Sequence, residues 1–415
     1  MTAVTLSGTG TTANTGTLYT VLKELYDGQK PQELFEKEYP FLAMLDRKTD
    51  LGMRPYPLPF VASPAVGASP TFSEAQGNSA PGIPGEFMLT TSDIFGSAYI
   101  DVKTMQGAKN DRQGFIQAVQ FATDTAIEGA VKTLALSLWR HSTGTKGTIQ
   151  SIGSTGVFTL TNASDVVNFE IGEVLQASPD GVNARAAKGF VVAASVSAGT
   201  ISVGATYGGA PASPNLWVVN DQLCVSGGVG LFQYGLLDWL TNAPGATPFM
   251  GIVRTNYMLE RIAGTYYDGS KRLISEALSN WLTRISFVGG HPDYVYMNPL
   301  SYQGLINEMS QKAVVNFQEV KSGVLDFSCE AIVFRHVGGT IKIVADWTCP
   351  AATAFAIHSG HIKLYSIGDA PSVFDADGVP FLRVPTASQV ELRLTCFAQI
   401  GVDAPVHFGC ASLAY

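Results

Sequence analysis

Between Arg54 and Thr90 the chain reads RPYPLPFVASPAVGASPTFSEAQGNSAPGIPGEFMLT, and this stretch restricts the fold more than any other. Prolines at 55, 57, 59, 64, 70, 81 and 84 remove backbone donors and fix φ, so a helix through it is not expected. The same prolines exclude it from the middle of a sheet. Its flanks behave differently. MRPYPLPF, from Met53, and SDIFGSAYIDVKTM, from Ser92, both alternate apolar and polar as strands do. Two strands joined by a long Pro/Gly tip make an extended two-stranded arm. A loop of this length is foreign to a compact domain, so its burial partner is expected on another chain.

Downstream, Phe115, Val119, Ala122, Ala126, Ala130, Leu134 and Leu138 recur at threes and fours, which predicts a helix over 112–140. Asn110 or Asp111 can cap it. At 1.5 Å per residue its length is roughly 40 Å. Shorter helices are expected from Leu18, Leu22 and Leu25, which share a face ended by Gly28, and around Gln32–Lys37, stopped by Pro40.

Residues 143–228 turn to short β runs: KGTIQSI, GVFTLT, FEIGEVLQAS, KGFVVAASV, GTISVG and DQLCVSG. Their spacing predicts a small barrel or sandwich, flanked by Gly-rich joints and inserted into the main chain. A mixed α/β region follows. A helix is expected after Ser270 through about Ile285, then strand PDYVYMN, then a helix from Pro299 to about Met309. Strands AIVFRHV, TIKIVAD, AFAIHSG and IKLYSI come next, and ASQVELRLTCFAQIGVDA is longer than the usual five or six residues of a strand.

Charged residues are 14% of the 415, against roughly 25% in ordinary globular domains. A surface this poor in charge points to one hidden against partners. The net charge is −8 and no basic patch stands out, which argues against direct nucleic-acid binding as the primary role. Cys224, Cys329, Cys349, Cys396 and Cys410 are odd in number and none are in CxxC spacing, so reduced, buried thiols are expected. The start MTAVTLSGTGTTANTG lacks a basic segment followed by an apolar one, and no run of 18 apolar residues occurs, so neither a signal peptide nor a spanning helix is expected.

The motifs of catalysis are absent. There is no phosphate-binding GxxxxGK[ST], no GxGxxG, no GxSxG and no HExxH. His141, His291, His336 and His407 look scattered, and only His358 and His361 are close, without further ligands. Asp375, Asp377 and Gly378 resemble the start of a calcium loop, but Glu391 lies too far along to close it, so a plain Asp-Gly turn is expected. Asn162-Ala163-Ser164 matches a glycosylation sequon without a secretion signal. Asp46, Asp50, Glu74 and Glu86 form no acid/base pair. No catalytic, cofactor-binding or metal residue is therefore expected, and no cofactor.

This order of arm, long loop, long helix, α/β body and long closing strands resembles the major capsid proteins of tailed bacteriophages, with their α+β HK97-type fold. The wording is similar in GLLDWLTNAPGATPFMGIVRTNYMLERIAGTYYDGS, GGHPDYVYMNPLSYQGLINEM, GGTIKIVADWTCPAATAFAIHSGHIKLYSI and VELRLTCFAQIGVDAPVHFGCASL. The resemblance implies an N-terminal arm over 1–50, an extended E-loop over 51–107, and a spine helix of the peripheral domain over 108–142. It implies an inserted β-barrel over 143–228, a mainly axial domain over 229–361, and a return to the peripheral domain over 362–415.

The resemblance further implies self-assembly into hexamers and pentamers that close an icosahedral shell around double-stranded DNA, in the virion and after assembly in the host cytoplasm. A portal, a separate scaffold protein and a decoration protein would be partners, with no membrane and no catalysis. An encapsulin-like bacterial compartment is the alternative. Some relatives cross-link subunits through an E-loop lysine; no lysine lies between Thr49 and Val102, so no such link is expected.

Overall fold

The computed structural model describes residues 38–49, 51–52, 54–101, 112–153, 156–212, 214, 216–310, 317–319, 330–336, 338–374, 381–384 and 388–414. The helices expected before residue 38, the caps Asn110 and Asp111, Asp50, Cys329 and the turn holding Asp375, Asp377 and Gly378 lie outside these.

Strand β20 (Gln389–Val402) organises the first layer. Along one edge it pairs antiparallel with the whole of β4 (Ser92–Asp101), from Gln389↔Asp101 to Ala398↔Ser92. Along the other it takes β19 (Phe381–Arg383), β18 (Ser372–Val373) and β17 (Ile362–Ser366) in turn, and β1 (Asp46–Lys48) adds parallel to β17. Burial in β20 alternates at first and becomes continuous from Ala398 to Val402. The strand thus begins half-exposed and ends inside the core, which explains its length. Helix α3 (Arg112–Trp139) lies across the inner face of β4 and β20, where Ile127, Ala130, Val131, Leu134 and Leu138 are buried.

Pro40, expected as a stop, instead opens helix α1 (Pro40–Met44) from its first turn, where a missing N–H costs nothing. The helix is pinned from afar: the buried Asp346 carboxylate accepts from Phe41 N at 3.2 Å and from Thr348 N and Oγ1 at 2.9 and 2.6 Å. Trp139 Nε1 donates to the same hydroxyl at 2.8 Å, fastening the end of α3. Burial pushes the Asp346 carboxyl pKa up, against the pull of these donors.

The second layer is a seven-stranded sheet, ordered β11 (Thr265–Gly269), β21 (Gly409–Leu413), β16 (Thr353–Ile357), β12 (Tyr294–Met297), β15 (Gly339–Ala345), β14 (Glu330–His336) and β13 (Phe317–Glu319). Helix α6 (Ile274–Phe287) packs on it through Ile274, Ala277, Leu278, Trp281, Leu282 and Ile285, all buried at spacings of three and four. Ser270 does not begin this helix. Its N–H and hydroxyl bond Asp268 in a turn, and the first amides of α6, at Ile274 and Ser275, are capped at 2.8 and 2.9 Å by Glu308 of α7 (Pro299–Ser310). A cap from a neighbouring helix leaves no local sequence signal.

Strands β5 (Gly147–Ile152), β6 (Val157–Leu160), β7 (Val174–Ser178), β8 (Lys188–Ser195), β9 (Thr200–Gly204) and β10 (Gln222–Val225) form a closed barrel. Its filling includes Ile149, Phe158, Leu175, Val191, Ile201 and Leu223, separate from the main core. The chain enters and leaves it side by side: Lys146 N donates to Leu223 O at 2.8 Å, and Phe232 N to Ser142 O at 3.2 Å. Arg140 Nη2 to Asp165 Oδ1 at 2.9 Å, and an ion pair of Lys132 with Glu170, tie the barrel to α3.

Candidate self-assembly interface

The proline-rich stretch folds as a ribbon of β2 (Tyr56–Ser63) and β3 (Ile83–Leu89), paired antiparallel from Tyr56↔Leu89 to Ser63↔Ile83. This corrects the expected pairing, since the second strand is β3 and the run from Ser92 joins β20 instead. In β2 the buried residues are Leu58, Phe60 and Ala62, while Pro57 and Pro59 stand exposed between them. Prolines two apart lack their donors on one and the same edge, so β2 accepts a partner on the other edge only. The expectation of no helix also fails locally: the proline-free Phe72–Gly77 forms α2, which buries none of its residues.

The root of the ribbon is rigid. The ring of Phe87, 0% exposed, lies 4.6 Å from that of Phe60 and 4.9 Å from Trp239 on α4 (Leu236–Trp239). Gly85 makes room for this stack, because a Cβ there would sit 2.5 Å from the Phe60 ring. Beneath it, Arg254 Nη1 donates to the carbonyls of Asp238 and Trp239 at 2.8 and 3.0 Å and lies 4.0 Å from the Phe249 ring. Burial lowers its pKa to about 10, which leaves it charged at neutral pH.

The tip is the opposite. Val61, Val66, Phe72 and Ile83 are exposed, Phe72 at 82%. On β4, Ile94 and Ile100 face inward while Phe95 and Tyr99 face solvent, Phe95 at 68%. In the α/β layer Leu273, Leu300 and Phe287 are exposed, Phe287 at 89%. Ile171, Val182, Tyr207 and Leu216 are exposed on the barrel. Single apolar residues on a surface need no explanation, but groups on projecting elements mark contact with other molecules.

A cleft of about 480 Å³ opens between the start of β4 and the barrel joint, lined by residues including Thr91, Asp93, Phe95, Leu231 and Tyr234, and Asp93 is its only carboxylate. Among the described residues no group of three or more His, Cys, Asp or Glu is placed to hold a metal ion. Glu74 lies on α2 and Glu86 on β3, Asp46 opens β1, and Glu391 pairs with Arg393 on β20. Asn162 donates to Asp165 at 3.5 Å. His141 bonds Asp238 at 2.7 Å, and His336 bonds Thr283 at 2.9 Å.

The histidines are less dispersed than the sequence suggests. His291, His358, His361 and His407 gather at one place, with Asp403 beside His361 at 2.7 Å. Only the 358/361 spacing was visible beforehand, because the others arrive from segments distant in sequence. Cys224, Cys349, Cys396 and Cys410 are buried, and none of these four is in a disulfide. Burial pushes the Cys224 thiol up to about 11 and Cys410 up to about 12, so neither supplies a thiolate. No described helix is long and apolar enough to cross a membrane.

Neither a family model nor a curated protein matches the sequence. Solved structures do match the fold. A subunit of the capsid of cyanophage A-1(L) superposes with a TM-score of 0.53 at 13% identity, over 91% of this chain and 92% of that one. The encapsulin SrpI of Synechococcus elongatus is similar at TM-score 0.45 and 9% identity, over 95% of each chain. The procapsid of satellite phage P4 gives 0.42 and 10%, over 97% of this chain and 98% of that one. The first of these covers nine-tenths of both chains, and by that correspondence the chain has the fold of a phage capsid subunit, the HK97-type architecture.

Proposed function

We propose that the chain is the major capsid protein of a tailed bacteriophage, which assembles as hexamers and pentamers into an icosahedral shell around double-stranded DNA. The observation that carries this is the match to a phage capsid subunit over nine-tenths of both chains. The unburied ribbon tip supports it, since none of the residues of α2 is buried among the described residues. On this reading residues 51–107 are the E-loop, with β2 and β3 as its two strands, and 1–50 are the N-terminal arm. Residues 108–142 are the spine helix, 229–361 mainly the axial domain, and 362–415 the return to the peripheral domain. The work of such a subunit is assembly rather than catalysis. Many weak contacts made at once supply the strength. A scaffold protein, a portal and a decoration protein are its further partners, and the virion its place.

Electron microscopy of the purified protein is expected to show closed shells, and size exclusion no species at the 44.0 kDa of a monomer. A stable monomer would sink the proposal, and shells filled with a folded enzyme instead of DNA would favour the encapsulin alternative. On a denaturing gel the same shells should run as one monomer band, because no lysine lies between Thr49 and Val102. A ladder of covalent multimers would contradict this.

The barrel over 143–228 is, on this reading, an insertion into the minimal fold. Its adjacent ends make it removable. Replacing 145–226 by a short Gly/Ser linker is expected to leave the remaining core folded, because the barrel interior is a separate cluster. Loss of the whole cooperative unfolding transition in that variant would show the barrel to be part of one core.

A further inference from the structure

The chain crosses between its two sheets at two turns that lie side by side. Residues 358–361 lead from β16 of one sheet to β17 of the other, and 403–408 lead from β20 back to β21. Both crossings carry histidines. Ring centroids are 4.8 Å apart for His358 and His361, 5.3 Å for His358 and His407, and 4.9 Å for His361 and His407, whose planes differ by 9°. His291, from the segment before β12, lies 6.3 Å from His407. The crossings are also bonded directly: Asp403 N donates to His361 O at 3.2 Å, and His361 Nδ1 meets Asp403 Oδ1 at 2.7 Å.

Two backbone amides donate to ring nitrogens in this cluster, and one of them is Gly360 N, to His358 Nδ1 at 3.1 Å. His291 N donates to His407 Nδ1 at 3.1 Å. An imidazole nitrogen accepts only when it carries no proton, so His407 is the neutral tautomer with its proton on Nε2. The groups that face it are His358 and His361 from the first crossing, Asp403 from its own, and His291 from the third segment. Asp293 adjoins them but accepts from Ser359 N and Oγ at 2.9 and 2.5 Å.

We infer that this cluster is an acid-released clasp between the two crossings that join the sheets. A proton arriving on His407 Nδ1 sets two donors face to face and removes the bond to His291. Asp403 touches the cluster at His361, and positive charge on His407 meets the rings of His358 and His361 at about 5 Å. Burial first, then the three neighbouring histidines, hold His407 below its ordinary value, against the pull of Asp403. The folded chain therefore binds this proton more weakly than the unfolded one. The clasp is complete above the unfolded value of about 6.5 and is lost as pH falls below it. The two crossings belong to the single chain, so the clasp does not depend on whether shells form.

Hydrogen exchange of the full chain at pH 7.5 and 5.5, corrected for the intrinsic pH dependence of amide exchange, tests this. Protection at the amides of His361, Asp403 and Phe408 should fall further than in β12 and β15. In His407→Gln, whose side-chain oxygen accepts without titrating, that extra loss should disappear. Equal losses in wild type and variant, or no extra loss in wild type, would overturn the inference. Should His407→Gln misfold, His358→Gln removes one like charge and must reduce the acid response; an undiminished response there is equally fatal.

Discussion

Phe87→Ala is expected to lower the free energy of unfolding by about 3–5 kcal/mol, the cost of emptying a fully packed aromatic site. The ring is 0% exposed and is held at 4.6 Å by Phe60 and at 4.9 Å by Trp239, with Phe249 at 6.3 Å. These neighbours are themselves fixed, by the strand pairing of β2 with β3 and by Arg254 under α4, so the space cannot collapse cheaply. Denaturant unfolding of wild type and variant, compared through their midpoints at unchanged slope, measures the loss. Phe87→Leu, which keeps most of the volume, should lose less than about 1.5 kcal/mol. A Phe87→Ala cost under about 1 kcal/mol would mean that the ribbon root is not part of the core, and that the ribbon hangs free of it.

The contrast between this root and its tip bears on what could be read from the sequence. Periodic segments were legible: the long helix runs Arg112–Trp139, and the helix after Pro299 runs to Ser310, close to their expected bounds. The six β runs between 143 and 228 correspond to the six strands of the barrel. Each of these signals is local. What failed was pairing at a distance. The run from Ser92 alternates equally well as partner of β2 or of β20, and only the assembled core chooses β20, about 300 residues away. The helix expected after Ser270 runs Ile274–Phe287, but its cap was not legible, because Glu308 reaches in from α7. The histidine cluster was invisible because its members meet only where both sheet crossings meet. Pro84 hid β3, although a proline on the outer edge of a two-stranded ribbon costs little.

Phe72→Asp should spare the fold and disable the shell. Phe72 is 82% exposed on α2, a helix with none of its residues buried among the described residues. Exposed substitutions of this kind shift stability by about 0.5 kcal/mol or less, so the thermal midpoint should stay within about 2 °C of wild type. Buried against a neighbouring subunit, the same ring contributes about 1.5–3 kcal/mol, and a carboxylate there adds a desolvation cost. At 1.4 kcal/mol per factor of ten, the protein concentration at which shells first appear should rise at least about tenfold. Light scattering against concentration reads this threshold, and Phe72→Leu, which keeps an apolar side chain, should stay near wild type. If Phe72→Asp assembles at the wild-type threshold, the tip does not lie on a neighbour, and the proline-rich ribbon needs another occupant. If instead both Phe72→Asp and Phe87→Ala abolish shells but only the second lowers stability, root and tip have separate tasks. The aromatic stack would hold the ribbon at a fixed angle, and the exposed ring would use that angle to reach the next subunit.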